Sequence, residues 1–207
     1  MTVPLIRRRR VMLATSLAAS IAVLLVGALV TSIHLEIDGA IVAWCRSHPP
    51  STIDTVMSWL SASGRSIVLV PLAASIAVLL VIRRHIRLAL FAATCVALAP
   101  LVSLQVKALF QRERPDVLSL DPQSTFAYPS GHATACATVA LVALIICDRL
   151  GASRRAPAAI AMWAVGVSIS RVWLGAHFPS DILGGWLLAI AITCACAAIV
   201  LHQDRSA

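Results

Sequence analysis

The chain has 207 residues, of which 59% are hydrophobic and 13% are charged. Soluble domains carry about 25% charged residues, so this composition excludes an ordinary soluble fold and indicates a membrane protein. The formal net charge is +8, which in a soluble chain would suggest nucleic-acid binding. Here the basic residues lie in short runs between apolar segments, so they indicate membrane topology and predict no nucleic-acid partner. No repeat or linker divides the chain, and we expect one membrane-embedded domain over residues 1–207.

Apolar stretches with the length that a bilayer requires, roughly 17–25 residues, recur along the chain. Their approximate bounds are residues 11–33, 66–82, 86–106, 132–147, 157–174 and 182–201. The first stretch follows Arg7 to Arg10 and exceeds the apolar core of a signal peptide, so we expect it to be retained as a helix.

Residues 34–65, between the first two spans, mix charged and apolar positions with helical spacing. This pattern predicts two short amphipathic helices that lie in the membrane interface, with Trp44 and Trp59 at headgroup depth. The sequence as a whole therefore predicts an all-α polytopic membrane protein, built as a bundle of six transmembrane helices with short interfacial helices between spans one and two.

The basic residues predict how these spans are oriented. If the N-terminus is inside, the inner segments contain Arg7 to Arg10, Arg83, Arg84, Arg87, Arg149, Arg154, Arg155 and Arg205. The outer segments contain Arg46, Arg65, Lys107, Arg112, Arg114 and Arg171. The excess on the inner side favours cytoplasmic N- and C-termini. Because Lys107 is the only lysine among the basic residues, the composition resembles that of a GC-rich bacterium, and we expect a bacterial plasma-membrane protein.

Polar groups at the ends of the spans fall into three clusters, and alternating helix direction places all three at the same membrane face. The first contains Lys107, Arg114 and Pro115. Lys107 and Arg114 are seven positions apart, so we expect them to share a helix face over two turns. Two fixed cations suit an oxyanion such as phosphate. Ordinary positive flanking of a span is the alternative, and it fits poorly on a side that should have few basic residues.

The second cluster is Pro129, Ser130, Gly131 and His132, at the predicted start of the fourth span. Ser130 can cap the helix, and Gly131 allows its backbone to approach a ligand closely. A helix N-terminus presents free N–H groups to an anion. His132 beside it is placed to donate a proton, although a helix cap with an incidental histidine has the same sequence pattern.

The third cluster contains Ser170, Arg171, His177 and Asp181. His177 and Asp181 are four apart, a spacing at which the carboxylate can hold one imidazole nitrogen while the other faces a substrate. Arg171 adds a guanidinium that can bind two phosphate oxygens at once. A lone histidine at the end of a span would be an ordinary interfacial residue. A histidine, an aspartate and an arginine together at an otherwise apolar face favour a functional site.

These clusters, Lys107-x6-Arg114-Pro115, Pro129-Ser130-Gly131-His132 and Ser170-Arg171-x5-His177-x3-Asp181, resemble the three-part signature of the type 2 phosphatidic acid phosphatase superfamily, which includes the vanadium haloperoxidases. All specified positions match in order and spacing. The signature covers residues 107–181, and the six-span pattern extends the resemblance to nearly the whole chain.

The resemblance implies a role for each residue. His177 attacks phosphorus to form a phosphohistidine, Asp181 orients His177, and His132 protonates the leaving oxygen and then activates water. The phosphoryl oxygens are bound by Lys107, Arg114, Arg171, Ser130 and the Gly131 amide. Phosphoryl transfer depends chiefly on positioning and charge neutralisation, so we expect no metal and no other cofactor, and we expect Asp116 and Asp121 to be solvated loop residues.

The expected partners are membrane lipids and a lipid phosphate substrate, with an isoprenyl diphosphate, the undecaprenyl carrier of cell-wall synthesis, placed first. Phosphatidylglycerol phosphate and phosphatidic acid are the alternative substrates, and a lipid phosphotransferase on the same scaffold is the alternative enzyme. A transporter or non-catalytic membrane subunit is a more distant alternative, because transporters place broken helices near the midplane. The sequence does not predict an oligomeric state.

Overall fold

The computed structural model describes residues 3–33, 35–47, 51–117, 119–121 and 125–201, and within these ranges it is all-helical, with no strand. The described helices are α1 (Val3–Ser32), α2 (Glu36–Arg46), α3 (Thr52–Ser63), α4 (Ser66–Ile82), α5 (Ile86–Phe110), α6 (Gly131–Leu150), α7 (Arg155–Trp173) and α8 (Pro179–Val200). The all-α prediction is confirmed for these residues. Residues 34 and 48–50 of the predicted interfacial region lie outside them.

The predicted spans correspond to α1 and to α4 through α8. Within the described residues, five helices are long and apolar enough to cross a membrane, and a sixth span results if α3 and α4 are counted together. These two helices meet at an angle of 45°. The chain is therefore a membrane protein with five or six candidate spans. The first helix begins at Val3, earlier than predicted, because arginine is a good helix former and the basic run continues the helix.

The helices α2 and α3 rest against α7. The indole N–H of Trp173 donates to Asp54 Oδ1 at 2.8 Å, and that of Trp163 donates to Ser63 Oγ at 2.9 Å. Trp44 and Trp59 are 60% and 75% exposed. Both short helices thus have one face against the bundle and one apolar face directed outward.

Small residues bring the N-terminal ends of α6 and α8 into direct contact. A Cβ added at Gly185 would lie 2.8 Å from the Ser130 carbonyl oxygen and 2.9 Å from the Ala133 Cβ. The Ser130 N–H also donates to the Asp181 carbonyl at 3.0 Å. Glycine lets two helix backbones approach closely, and this approach places the second sequence cluster beside the third.

Candidate active site

The sequence-predicted site residues converge at one end of the bundle. Lys107 lies in the last turn of α5, Arg171 in the last turn of α7, and Asp181 in the first turn of α8. His132 follows the first residue of α6, and His177 lies in the short connection between α7 and α8. Most of these groups are buried, so the cations, the two imidazoles and the Asp181 carboxylate form a cluster inside the bundle.

His177 and Asp181 form the predicted pair. The His177 Nδ1 atom is 3.3 Å from Asp181 Oδ2, and the His177 side chain is 3% exposed. The Phe178 N–H donates to the same Oδ2 at 2.9 Å, so Asp181 also caps its own helix. Burial lowers the pKa of His177 to about 4, although the hydrogen bond and charge of Asp181 raise it. The imidazole is therefore neutral near pH 7, and a proton on Nδ1 leaves the Nε2 lone pair available for attack.

Arg114 stands next to that lone pair. Its Nη1 is 3.2 Å from His177 Nε2 and donates to the Ala176 carbonyl. Its Nε donates to the Thr125 carbonyl at 2.6 Å. Burial lowers the pKa of Arg114 to about 10, which still leaves the guanidinium charged near neutral pH.

The expected helical arrangement of Lys107 and Arg114 is wrong. The helix ends at Phe110, and Gln111 adopts the left-handed conformation with φ 48°, so Arg114 lies in the following irregular segment. The two cations nevertheless converge, because Lys107 Nζ donates to the Phe126 carbonyl and Arg114 Nη2 donates to the same oxygen at 3.2 Å. The Phe126 carbonyl, and not a shared helix face, therefore brings the two cations together.

Ser130 is the N-cap of α6, as predicted. Its Oγ accepts from the Ala133 N–H at 3.5 Å, and the side chain is fully buried. A Cβ added at Gly131 would meet nothing closer than Ser103 Oγ at 4.0 Å. Packing within the protein therefore does not require glycine at this position. The lack of a side chain at Gly131 leaves open space beside the N-terminus of α6.

Arg171 is completely buried. Its Nη1 donates to Ser61 Oγ at 2.5 Å and to Asp121 Oδ2. Its Nε and Nη2 atoms are buried without a hydrogen-bond partner among the described residues, as is His132 Nε2. A buried donor without a partner costs about 1–3 kcal/mol. The free Nε and Nη2 atoms form the edge of the guanidinium that binds two oxygens side by side.

The expectation that Asp121 is a solvated loop residue is wrong. Its side chain is 13% exposed and pairs with Arg171 and, at 3.4 Å, with Arg65. Burial raises the pKa of this carboxyl group, but the hydrogen bond and charge of Arg171 and the charge of Arg65 bring it below the ordinary value. Asp121 therefore binds Arg171 at Nη1 and leaves the Nε and Nη2 atoms of the guanidinium unengaged. Asp116, by contrast, is exposed as expected.

Arg112 and Asp38 are buried site residues that the sequence analysis did not assign. Arg112 Nη1 donates to Asp181 Oδ1 at 2.5 Å, and Arg112 Nη2 donates to Asp38 Oδ2 at 2.8 Å. One signal was available: Arg112 stands between Lys107 and Arg114 on a face where the charge rule disfavours arginine. No signal in the sequence indicated Asp38 as its partner.

Two cavities flank the segment that carries these arginines. The larger, about 590 Å³, lies among the end of α1, α2 and residues 110–117. The smaller, about 450 Å³, is lined by Leu104, Lys107, Arg114, Thr125 and Phe126, among others. Arg114 lines both. Leu104 is 50% exposed, so the smaller cavity joins the first cluster of cations to the apolar outer surface of α5.

The sequence is similar to those of known proteins over a large part of its length. The sequence pattern of the PAP2 superfamily matches residues 88–205. An undecaprenyl-diphosphatase of Sulfolobus acidocaldarius is 29% identical over 67% of this chain and 66% of its own length. Phosphatidylglycerophosphatase B of Bacillus subtilis is 36% identical over 44% of this chain and 48% of its own length. The chain thus spans less than two thirds of each of these relatives.

A solved structure agrees with the sequence match. The crystal structure of the first transmembrane PAP2 type phosphatidylglycerolphosphate phosphatase from Bacillus subtilis superposes with a TM-score of 0.80 and 25% identity, covering 93% of this chain and 99% of that one. The resemblance that the three sequence clusters indicated is therefore confirmed: the chain belongs to the PAP2 superfamily.

Proposed function

We propose that this protein is a lipid phosphate phosphatase that forms a phosphohistidine on His177. The observation that carries the proposal is a set of buried nitrogens around an oriented imidazole: Arg171 Nε and Nη2 and His132 Nε2 have no partner in the described part of the chain. Asp181 meanwhile holds His177 at Nδ1. A tetrahedral phosphoryl group provides acceptors for N–H groups on those nitrogens and an electrophile for His177 Nε2.

In the proposed reaction, the Nε2 lone pair of His177 attacks phosphorus and the bond from phosphorus to the leaving oxygen breaks. His132 donates a proton to that oxygen, and the resulting neutral imidazole then takes a proton from the water that hydrolyses the phosphohistidine. The oxygens of the phosphoryl group are bound by Lys107, Arg114, Arg171, Ser130 and the Gly131 amide. For Arg114 this means that its bond to His177 Nε2 gives way to a phosphoryl oxygen.

The positive groups that phosphoryl transfer needs are all supplied by the protein. Charge neutralisation and positioning dominate this reaction, and three cations with a helix N-terminus provide both. We therefore propose that turnover needs no metal or other cofactor. Hydrolysis should continue in excess chelator, and a complete loss of activity that magnesium restores would refute this part of the proposal.

The proposed topology has six spans, with α3 and α4 forming the bent second span, in a single membrane domain over the whole chain. Cytoplasmic termini in a bacterial plasma membrane, supported by the excess of arginine on the inner side, place the site at the extracytoplasmic face. The outward faces of α2 and α3, with Trp44 and Trp59 exposed, suit interfacial helices. With native cysteines removed, Asp116→Cys should react with an impermeant reagent on intact cells and Ser153→Cys should not. The reverse pattern would place catalysis in the cytoplasm.

For the substrate we propose an isoprenyl diphosphate, the undecaprenyl carrier in first place. The named activity of the Sulfolobus relative supports this choice. So does the smaller cavity, whose cations adjoin an apolar surface and which offers few neutral polar groups for a large headgroup. Phosphatidylglycerol phosphate is the second candidate, favoured by the named activity of the Bacillus relatives.

The decisive experiment measures phosphate release by purified protein in detergent. Undecaprenyl diphosphate, phosphatidylglycerol phosphate and phosphatidic acid are compared by kcat/KM, each with and without a lipid or glycan acceptor. A preference of tenfold or more for a glycerolipid monophosphate, about 1.4 kcal/mol of transition-state binding, would overturn the isoprenyl assignment. Transfer to the acceptor in place of phosphate release would identify a phosphotransferase, and inactivity on all three lipids would overturn the proposed function.

A further inference from the structure

A chain of buried polar contacts runs from α2 to the carboxylate that holds His177. Asp38 of α2 is 3% exposed, and Arg112, in the segment after α5, is 9% exposed. Arg112 bridges Asp38 and Asp181 through its two Nη atoms. Neither Asp38 nor Arg112 occupies a specified position of the three sequence clusters, and neither belongs to the proposed set of phosphate-binding residues.

Arg112 completes the hydrogen bonding of Asp181. The two carboxylate oxygens are divided: Oδ2 serves His177 Nδ1 and the Phe178 N–H, while Oδ1 accepts from Arg112 Nη1. Because both oxygens are engaged from different directions, the carboxylate is held against rotation. The orientation of the His177 imidazole therefore depends on Arg112 as well as on Asp181.

Asp38 fixes Arg112 and the first turn of α8 at the same time. Its Oδ1 accepts from the Ser180 N–H at 3.2 Å, and its Oδ2 accepts from Ser180 Oγ and from Arg112. Ser180 Oγ in turn accepts from Arg112 Nη1 at 2.7 Å. The guanidinium also stacks over the Phe178 ring, with its central carbon 4.3 Å from the ring centroid. Only a planar fork of donors satisfies these partners together, and lysine offers none.

We propose that Arg112 is a positioning residue for the reaction at His177, acting through Asp181, and that Asp38 holds Arg112 in place. The inference rests on the proposed function, because it concerns the same nucleophile. A purely structural ion pair would act on stability alone, and its loss would leave kcat of the folded protein unchanged. A positioning residue would lower kcat with little change in KM, and its effect would disappear once Asp181 no longer orients His177.

The test compares kcat and KM for lipid phosphate hydrolysis in Arg112→Met, Arg112→Lys and Asp38→Asn. For Arg112→Met we expect kcat to fall about tenfold to a hundredfold, the scale of a slightly misplaced reacting group. Arg112→Lys, which keeps the charge and loses the fork, should lie between it and wild type. The matched control is Arg46→Met, which removes a largely buried pair with Asp54 at 3.3 Å between α2 and α3 and should retain wild-type kcat.

A double-mutant cycle separates positioning from structure. Arg112→Met added to Asp181→Asn should change kcat by no more than about twofold, the usual error of additivity, whereas added to His132→Ala it should have its full effect. An equal effect in both backgrounds, or wild-type kcat in Arg112→Met, would overturn the proposal. If Arg112→Met fails to fold, as judged by thermal unfolding, the same cycle with Arg112→Lys and Asp38→Asn decides the question.

Binding of vanadate keeps this test independent of the proposed function. Vanadate adopts five-coordinate geometry and bonds to an attacking nitrogen, so its calorimetric Kd reports the orientation of His177 without turnover. Arg112→Met should weaken vanadate binding in the wild-type background and leave it unchanged in the Asp181→Asn background. If the vanadate affinities follow this expectation but wild type hydrolyses none of the lipids, the proposed phosphatase function is refuted and the role of Arg112 stands. If Arg112→Met weakens vanadate binding equally in both backgrounds, the proposed role of Arg112 is refuted.

Discussion

The two histidines of the site have contrasting surroundings. His177 is held by a carboxylate whose two oxygens both have partners: one accepts from Arg112, which Asp38 holds in turn, and the other accepts from the N–H that precedes α8. His132 Nε2 and the free edge of Arg171 are buried without partners in the described residues. The half of the site around His177, the saturated half, must keep a fixed geometry, and its polar groups are hydrogen-bonded to one another. The half around His132 and Arg171, the open half, retains nitrogens that no described protein group engages, which leaves them available to a phosphoryl group.

The largest expected effect comes from the saturated half. His177→Ala should abolish turnover on every lipid phosphate while the protein still inserts and folds, because no other described side chain offers a nucleophilic nitrogen held by Asp181. Turnover is measured by phosphate release and folding by thermal unfolding in detergent. Activity near the wild-type level in purified, folded His177→Ala would remove the basis for assigning the nucleophile.

His132→Ala tests the open half, and we expect a smaller and substrate-dependent loss. On an alkyl monophosphate the loss should be about a hundredfold to ten-thousandfold, the range of a general acid. A diphosphate expels phosphate, which is a better leaving group than an alkoxide and depends less on protonation. The ratio of kcat/KM values for wild type and mutant should therefore be smaller for undecaprenyl diphosphate than for phosphatidic acid. An equal loss on both substrates would contradict the role of His132 as acid.

Asp121→Asn should have the smallest effect of the three, and it tests how the open half is kept in place. With the charge on Asp121 removed, Arg171 loses a fixed support, and we expect KM to rise about tenfold, a typical cost of about 1.4 kcal/mol for a charge-assisted hydrogen bond. Asp116→Asn in the same segment is the control, because Asp116 is exposed. Unchanged KM in Asp121→Asn would show that Arg171 needs no such support.

The sequence predicted those parts of the site that depend on short spacing. His177 lies just before the start of α8 and Asp181 in its first turn, and Ser130 caps the helix it precedes, so both arrangements follow from local geometry. The apolar lengths likewise located all the long helices. These features need no knowledge of how distant segments pack.

The parts that the sequence did not predict depend on contacts between distant segments. Arg112 meets Asp38 across 74 positions of the chain and Asp181 across 69. Arg171 meets Asp121 across 50. Sequence spacing does not show which acidic and basic residues meet across a bundle. The sequence therefore predicted a solvated Asp121, and it indicated Arg112 only as a charge on an outer segment. The seven-residue spacing of Lys107 and Arg114 also misled, because Gln111 ends the helix between them.

Trapping of the intermediate tests the proposed nucleophile most directly. Purified protein is mixed with a lipid phosphate labelled with ³²P on the reacting group and quenched in base within one turnover. Phosphohistidine survives base, and the labelled peptide is identified by mass spectrometry. We expect label on His177, attached at Nε2, strongly reduced in Asp181→Asn and absent in His177→Ala. Label on any other residue, or release of phosphate by wild type at full rate with no labelled His177 at any quench time, would contradict the assignment.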